Sequence, residues 1–284
     1  MDLKVGIVGM PNVGKSTLFQ TLTKKQVDIA NYPFCTIEPN IGVVSVPDYR
    51  LEYLTEFSHS KKTISAIVEF VDIAGLVKGA NEGEGLGNQF LSHIREVNAI
   101  VYVLRAFKND NIINVQEDIN PIESKNILDT ELLLKDLDTV SKRLISLEKE
   151  AKAGGAESKK ELLVFEKLKD NLNRGIQIRD IDFDDKEKIF LKNYAFLTNK
   201  PCLYLLNGVD EDVDQKIISF FESNNYPYLI IDVKTEFEVA NMSKDERATL
   251  GLSIESELDI LIRRSYKLLD LITFFTTGED ETRA

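Results

Sequence analysis

A glycine-rich segment near the N-terminus has the residue types and the spacing that bind phosphate groups. The segment GMPNVGKST matches Gly-x4-Gly-Lys-Ser/Thr, follows an apolar run and precedes a helical pattern, which is the context of a phosphate-binding loop. Its glycines let successive backbone N–H groups point at phosphate oxygens, and the N-terminus of the following helix adds its dipole. We predict that a nucleotide is bound here by Asn12, Val13, Gly14, Lys15, Ser16 and Thr17.

A second set of residues is expected to hold Mg²⁺ and to sense the γ-phosphate. The predicted metal ligands are the hydroxyl of Ser16, the carboxylate of Asp72 in FVDIAGL, acting through water, and the hydroxyl of Thr36 in NYPFCTIEPN. The backbone N–H of Gly75 is placed to contact the γ-phosphate, while Lys15 supplies positive charge to the β- and γ-phosphates. Lys15 and Gly75 are therefore the predicted catalytic residues.

The residue after Gly75 raises the question of how the attacking water would be activated. Leu76 stands where Ras-type GTPases carry a glutamine that orients the attacking water, so hydrolysis needs another orienting group, a cation or a partner. We consider K⁺, held in part by the side-chain amide of Asn12, although this amide could instead hydrogen-bond within its loop. His93 is a weaker candidate, because most such histidines are structural or exposed. The alternative is a slow switch that mainly binds nucleotide.

The segment LLNGVDE is the candidate base-binding site. It resembles the guanine-reading motif Asn-Lys-x-Asp, with Asn207 and Asp210 in place and Gly208 where the lysine should be. A carboxylate accepts hydrogen bonds from two donors of guanine, whereas adenine lacks them. Asn207 is expected to brace the phosphate loop and the base loop, and Lys234, in IDVKTE, falls in the loop expected to close over the base. An ordinary polar turn after a strand is the alternative interpretation.

The elements that must position these residues follow an alternating pattern. Apolar runs predict buried strands at 3–8, 41–46, 64–71, 99–104, 202–206 and 228–232. Helical patterns separate them at 15–23, 85–96, 213–224 and 254–269. This alternation predicts an α/β fold with a mostly parallel sheet flanked by helices.

One region, from about residue 129 to 176, departs from this alternation. Its apolar residues follow a four-three spacing, are interrupted at Gly154-Gly155 and then resume. The pattern predicts two antiparallel helices of coiled-coil type inserted into the α/β domain. The alternative is a pair of surface helices packed on the sheet.

Composition excludes several classes of function. The chain has 284 residues, a net charge of −12 and two widely spaced cysteines, which is typical of a soluble protein in a reducing compartment. No apolar run is long enough for a membrane span. The net negative charge argues against non-specific binding of nucleic acid and gives no reason to expect sequence-specific DNA binding.

Several motifs together resemble the YchF/Ola subfamily of Obg-related P-loop NTPases: VGIVGMPNVGKSTLF, NYPFCTIEPN, DIAGLVKGA, GEGLGNQFLSHIREV and YKLLDLITFFTTGEDETRA. The resemblance covers essentially the whole chain. It implies a Ras-like NTPase domain at 1–122 and 199–284 with a helical coiled-coil insertion at 123–198. It also implies a cytosolic protein that prefers ATP over GTP and associates with ribosomes in translation or stress responses.

Two features depart from the family pattern. The family carries a candidate catalytic histidine where this chain has Asn114, and an asparagine cannot act as a base near neutral pH. The family also continues into a small β-rich TGS domain, whereas this sequence stops at Ala284. We expect a shortened form or a processed fragment, because Phe274 and Phe275 would end an apolar helix without an obvious partner.

Three hypotheses about function are compatible with these residues. The first is a nucleotide-hydrolysing switch that prefers ATP and tolerates GTP. The second is a nucleotide-gated scaffold in which hydrolysis is incidental. The third is a conventional GTPase of translation.

Overall fold

The computed structural model describes residues 3–27, 38, 40–73, 86–107, 119–253 and 255–284, with the backbone alone for 86–89 and 244. The described strands are β1 (Lys4–Val8), β2 (Ile41–Ser45), β3 (Thr63–Ile64), β4 (Ile67–Asp72), β5 (Ala99–Arg105), β6 (Cys202–Asn207), β7 (Tyr228–Ile231), β8 (Thr276–Thr277) and β9 (Thr282–Arg283). The described helices are α1 (Lys15–Thr23), α2 (Tyr49–Phe57), α3 (Leu86–Glu96), α4 (Pro121–Lys152), α5 (Ala156–Asn173), α6 (Asp185–Leu191), α7 (Gln215–Ser223), α8 (Val233–Val239), α9 (Lys244–Thr249) and α10 (Glu257–Leu268).

The apolar runs form a six-stranded sheet in the order β2-β4-β1-β5-β6-β7. Its neighbouring strands are parallel except for β2 and β4, which are antiparallel. Every residue of β5 and β6 is buried, as expected for central strands covered by helices on both faces. The prediction of a mostly parallel α/β sheet is confirmed.

The helical insertion begins earlier than the sequence pattern suggested. Helix α4 starts at Pro121, where the side chain of Asn120 accepts hydrogen bonds from the first turn. Its first half contributes Leu128 and Leu132 to the same hydrophobic core as the sheet. The heptad pattern could not show this part, because a helix that packs on a sheet does not need a coiled-coil spacing.

The second half of α4 pairs with α5 around a hydrophobic cluster of its own. The cluster includes three buried residues of α4 and two of α5, namely Val140, Leu144, Leu147, Phe165 and Leu168. The two helices are joined at Gly154, which has a φ of +96°, a conformation that glycine adopts without strain. Helices α4 and α5 therefore pack together as the predicted pair of helices, while their coiled-coil character stays a prediction. Helix α4 runs without interruption from the core of the sheet into the cluster that it shares with α5, so no helix end separates these two hydrophobic cores.

Buried polar contacts connect this hairpin to the sheet. The Tyr102 hydroxyl on β5 donates to the Asp129 carboxylate on α4 at 2.9 Å, and the Lys125 ammonium donates to the same carboxylate at 2.7 Å. Asp136, also on α4, accepts from the backbone N–H of Leu197 and from both the backbone N–H and the hydroxyl of the next residue. Because buried groups of this kind are held in one arrangement, the base of the hairpin has a fixed position on the sheet.

The C-terminal segment differs from the sequence prediction. Helix α10 ends at Leu268, and the chain then forms a small sheet in the order β3-β9-β8. Phe274 is 74% exposed, as expected. Phe275, however, has a partner: its ring centroid lies 5.0 Å from the Arg50 guanidinium. Strands of two residues leave too little pattern to be recognised from sequence.

Within the described part of the chain, no helix combines the length and the hydropathy that a membrane crossing would require.

Candidate functional site

The phosphate-binding loop depends on close backbone approaches that only glycine allows. Gly14 precedes α1 with a φ of +100°. A Cβ at Gly14 would clash with the side-chain amide nitrogen of Asn207, and one at Gly9 would lie 2.5 Å from the Val103 carbonyl oxygen. The two motif glycines therefore hold the loop against β5 and β6, in addition to permitting its curvature.

Lys15 is held at the mouth of this loop. Its ammonium donates to the carbonyl oxygens of Gly9 at 3.0 Å and Met10 at 2.8 Å, and the residue is only 8% exposed. Burial lowers the pKa of Lys15, while the negative charge of Asp72 opposes that shift. Burial likewise raises the pKa of Asp72, and Lys15 opposes it. A cation and a carboxylate thus share a partly dry site, where phosphate charge interacts strongly with its surroundings.

Asn207 connects the phosphate loop to the first turn of α8, which directly follows β7. Its side-chain N–H donates to the Val13 carbonyl at 2.8 Å, and its side-chain oxygen accepts from the Val233 N–H at 3.2 Å. The residue is 6% exposed, so both hydrogen bonds are buried in the intact protein. The amide of Asn207 braces the phosphate loop, as its place in the sequence led us to expect, but the second segment, which includes Lys234, begins a helix and is not a loop.

These loops enclose a cavity of about 680 Å³. Val13 turns its side chain into the core, at 3% exposure, and contributes its carbonyl to Asn207. Residues of the phosphate loop and of the expected base-binding segments line this one cavity. Of the predicted site residues, those that line the cavity are Asn12, Gly14, Lys15, Ser16, Thr17, Asn207, Gly208 and Lys234.

Asp210, predicted to face the base, lies elsewhere in the structure. The segment Asp210–Asp212 forms a 3₁₀ turn, and this turn directs Asp210 into a different groove, beside Glu222 and Tyr228. The described carboxylate residues that line the nucleotide cavity are Asp212 and Asp232, and the Asp232 carboxylate accepts hydrogen bonds from the first turn of α8. Motif spacing alone could not show this, because it assumes the backbone path of the Asn-Lys-x-Asp loop.

Gly208 is required by a close contact between strand ends. Strands β5 and β6 stay paired up to Arg105 and Asn207, so the residues that follow the two strands lie side by side. A Cβ at Gly208 would lie 3.0 Å from the Ala106 carbonyl carbon and 3.2 Å from the Phe107 nitrogen. A side chain here would require the backbone of Ala106 and Phe107 to shift by a few tenths of an ångström.

Sequence reasoning missed several residues of the cavity, namely Phe107, Val209, Asp212, Asp232 and Val233. Phe107 follows β5 within two residues, and the Arg105 guanidinium lies 4.6 Å from its ring centroid. Its position at the carboxyl end of a strand next to β6 is the signal that could have identified it, because ligands of open α/β sheets bind at that edge.

Only part of the expected metal site falls within the described residues. Ser16 and Asp72 supply a hydroxyl and a carboxylate, oxygen donors of the kind that Mg²⁺ prefers, and they fit such an ion together with nucleotide phosphates. His93 lies on α3 and is not among the described residues that line the cavity. Thr36 and Gly75 lie outside the described residues, so their predicted roles stay predictions, and Leu76 and Asn114 also lie outside them.

The fold and this site define the class of protein: a P-loop NTPase. The family model described as a 50S ribosome-binding GTPase matches residues 4–166. The chain is 44% identical to the ribosome-binding ATPase YchF of Bacillus subtilis, over all of this chain and 81% of that protein. It is 45% identical to the protein of the same name from Escherichia coli O157:H7, over all of this chain and 80% of that one.

A solved structure of the YchF GTPase of Schizosaccharomyces pombe matches 99% of this chain and 79% of that one, with a TM-score of 0.84 and 39% identity. The chain belongs to the YchF family. The names of these relatives differ in the nucleotide they specify, ATP for the bacterial proteins and GTP for the yeast one.

Proposed function

We propose that this protein is a Mg²⁺-dependent nucleotide switch that hydrolyses ATP, tolerates GTP and acts on the ribosome in the cytoplasm. The relatives named as ribosome-binding ATPases support this proposal. The single observation that carries it is the bridge made by Asn207, which joins the phosphate loop to the base loop across one cavity. Such a bridge couples the groups that would bind the two ends of one nucleotide.

Each residue of the phosphate site would have a separate role. The N–H groups of the loop and the α1 N-terminus bind the phosphate oxygens. Lys15, already held above the loop by two carbonyls, transfers its hydrogen bonds to the β- and γ-phosphates. Ser16 and Asp72 would hold Mg²⁺, which supplies charge neutralisation to the phosphates. Thr36 and Gly75 would tie two further segments to the γ-phosphate, and hydrolysis would release them.

Base preference would depend on Phe107 and Asp212, which line the cavity after β5 and after β6. An aromatic ring offers a stacking surface to either purine. The Asp212 carboxylate can accept a hydrogen bond from the amino group of adenine or from the ring N–H of guanine. This lack of strict discrimination is compatible with the binding of either nucleotide, and the proposed preference for ATP rests on the names of the bacterial relatives. K⁺ beside Asn12 is also part of the proposal.

The organisation into domains is proposed as well. Residues 1–122 and 199–284 would form the NTPase domain and 123–198 the inserted helical domain, with α4 continuous between them. The separate hydrophobic cluster of α4, α5 and α6 supports this division.

Direct titration tests the nucleotide. Fluorescent ATP and GTP analogues are titrated against the protein with Mg²⁺, and competition with unlabelled nucleotide gives both affinities. We expect ATP to bind more tightly than GTP, and a clear preference for GTP would overturn the base assignment.

Turnover tests the switch. Phosphate release is measured with and without ribosomes, in KCl and in NaCl. We expect hydrolysis that is faster with ribosomes and faster in KCl. Negligible turnover in all four conditions would favour a nucleotide-gated scaffold, and equal rates in the two salts would exclude the role of K⁺.

A further inference from the structure

Strand β7 is the last strand of the main sheet, and among the described residues no further strand pairs with its outer edge. On its inner side, the Tyr204 N–H donates to the Pro227 carbonyl at 2.9 Å and the Gly208 N–H donates to the Ile231 carbonyl at 3.1 Å. Backbone groups of alternate residues point to the same side of a strand. The N–H and C=O groups of residues 228 and 230 are therefore directed away from β6, toward the edge.

A groove of about 780 Å³ runs along this edge. It lies between β7, the end of α7 and α10, and aromatic side chains form part of its wall. The Arg264 guanidinium donates to the Tyr228 carbonyl at 3.3 Å, so a side chain occupies one outward backbone acceptor. The residues that give the groove its chemistry are Asp210, Glu222, Tyr226, Ile230, Glu257 and Arg264.

The groove has a negative electrostatic character. It is lined by the carboxylates of Asp210, Glu222 and Glu257 and by the cation of Arg264. The pKa of Glu257 is raised by burial and by the charges of Glu236 and Asp232, which are not among the described residues that line the groove. The pKa of Tyr228 is raised by burial and by the charges of Glu222 and Asp210. A cationic group entering the groove would relieve this repulsion, whereas a phosphate backbone would add to it.

We propose that this groove binds an extended peptide rich in lysine or arginine, which adds to β7 as a further strand. The peptide backbone would pair with the outward groups of residues 228 and 230, and its cationic side chains would reach carboxylates of the groove, which are those of Asp210, Glu222 and Glu257. Arg264 would leave the Tyr228 carbonyl to a peptide N–H. Asp210 thereby has a function different from base recognition, and the proposal does not depend on which nucleotide the protein binds.

The test uses the whole chain and a fluorescein-labelled alternating Lys-Val hexapeptide, with binding followed by fluorescence anisotropy at low salt. A Glu-Val hexapeptide is the charge control and should not bind. Two further Lys-Val peptides carry N-methyl groups on odd or on even residues, because only one of these sets can face β7. We expect one methylated peptide to lose binding and the other to keep it. Equal binding by both, or no binding of the Lys-Val peptide, would overturn strand addition.

Three variants locate the site. Glu222→Lys should weaken binding of the Lys-Val peptide by about tenfold or more, since it reverses a charge within the groove. Glu211→Lys makes the same charge change on the neighbouring turn and should change binding by less than about threefold. Arg264→Gln should tighten binding, because it frees the Tyr228 carbonyl and removes a repelling cation. A misfolded variant could not give that gain, and equal effects of Glu222→Lys and Glu211→Lys would refute the site.

Discussion

Replacing Asn207 by alanine tests whether one side chain holds the nucleotide cavity together. The substitution removes two hydrogen bonds, to the Val13 carbonyl at 2.8 Å and from the Val233 N–H at 3.2 Å. Each buried group left without a partner costs about 1–3 kcal/mol. Because the neighbouring cavity can admit water, we expect the lower part of that range for both groups, about 2–3 kcal/mol in total.

The free energy of unfolding, obtained from urea titration, measures this loss directly. For a protein of this size we expect the melting temperature to fall by about 5–10 °C. Nucleotide affinity should fall by roughly tenfold, since the base loop must then be ordered at the expense of binding energy. Asn224→Ala is the matched control: Asn224 is exposed and donates to the Phe220 carbonyl at 2.8 Å, and its loss should change stability by less than about 1 kcal/mol.

Asn207→Asp separates the bridge from simple packing. The aspartate has the same shape and keeps an acceptor for the Val233 N–H, but it places a carboxylate oxygen against the Val13 carbonyl. It should therefore destabilise the protein at least as much as alanine does. Stability and nucleotide affinity within error of the parent protein for Asn207→Ala would refute the reasoning.

Three further expectations concern the glycines of the site and a buried carboxyl group of the insertion. Gly14→Ala should destabilise the protein by at least about 1 kcal/mol more than Gly154→Ala in urea unfolding. Both glycines have a strongly positive φ. An added Cβ at Gly14 meets the Asn207 amide, whereas at Gly154 it meets open space among the described residues. Burial raises the pKa of Asp136, so the native state binds this proton more tightly than the unfolded state does. The resulting contribution to stability is present at low pH and is lost as the pH rises through the raised pKa. Asp136→Asn should remove this decline from unfolding curves measured across that pH range. Gly208→Lys should weaken the binding of both ATP and GTP in the fluorescence titration, and a gain in GTP affinity would contradict the steric explanation.

Much of the fold could be predicted from the sequence because its signals are local. The runs that form β1, β5 and β6 are almost entirely apolar, as strands covered on both faces must be. The phosphate loop was equally clear, since its chemistry requires particular residues at fixed positions. The start of α4 at Pro121 and the short strands β8 and β9 were not predicted, because their stability comes from contacts with distant parts of the chain.

The candidate site was predictable where backbone geometry follows from the motif and not elsewhere. Asn207 was placed correctly because it ends a buried strand beside the phosphate loop. Asp210 was assigned to the base and Asp212 was missed, since the 3₁₀ turn that directs them to different grooves leaves no distinctive spacing. Phe107 was missed because a single aromatic residue after a strand has no motif of its own.

Gly208 shows how a departure from a motif can be structural in origin. From sequence, the missing lysine is a lost contact with the base. In the structure, a Cβ at this position would lie 3.0 Å from the Ala106 carbonyl carbon, and Phe107, the next residue of that segment, lines the cavity. A side chain at 208 would require a shift of a few tenths of an ångström in the backbone that positions this ring. In the proposed base site, the Phe107 ring would offer the base the apolar surface that a lysine stem would otherwise supply.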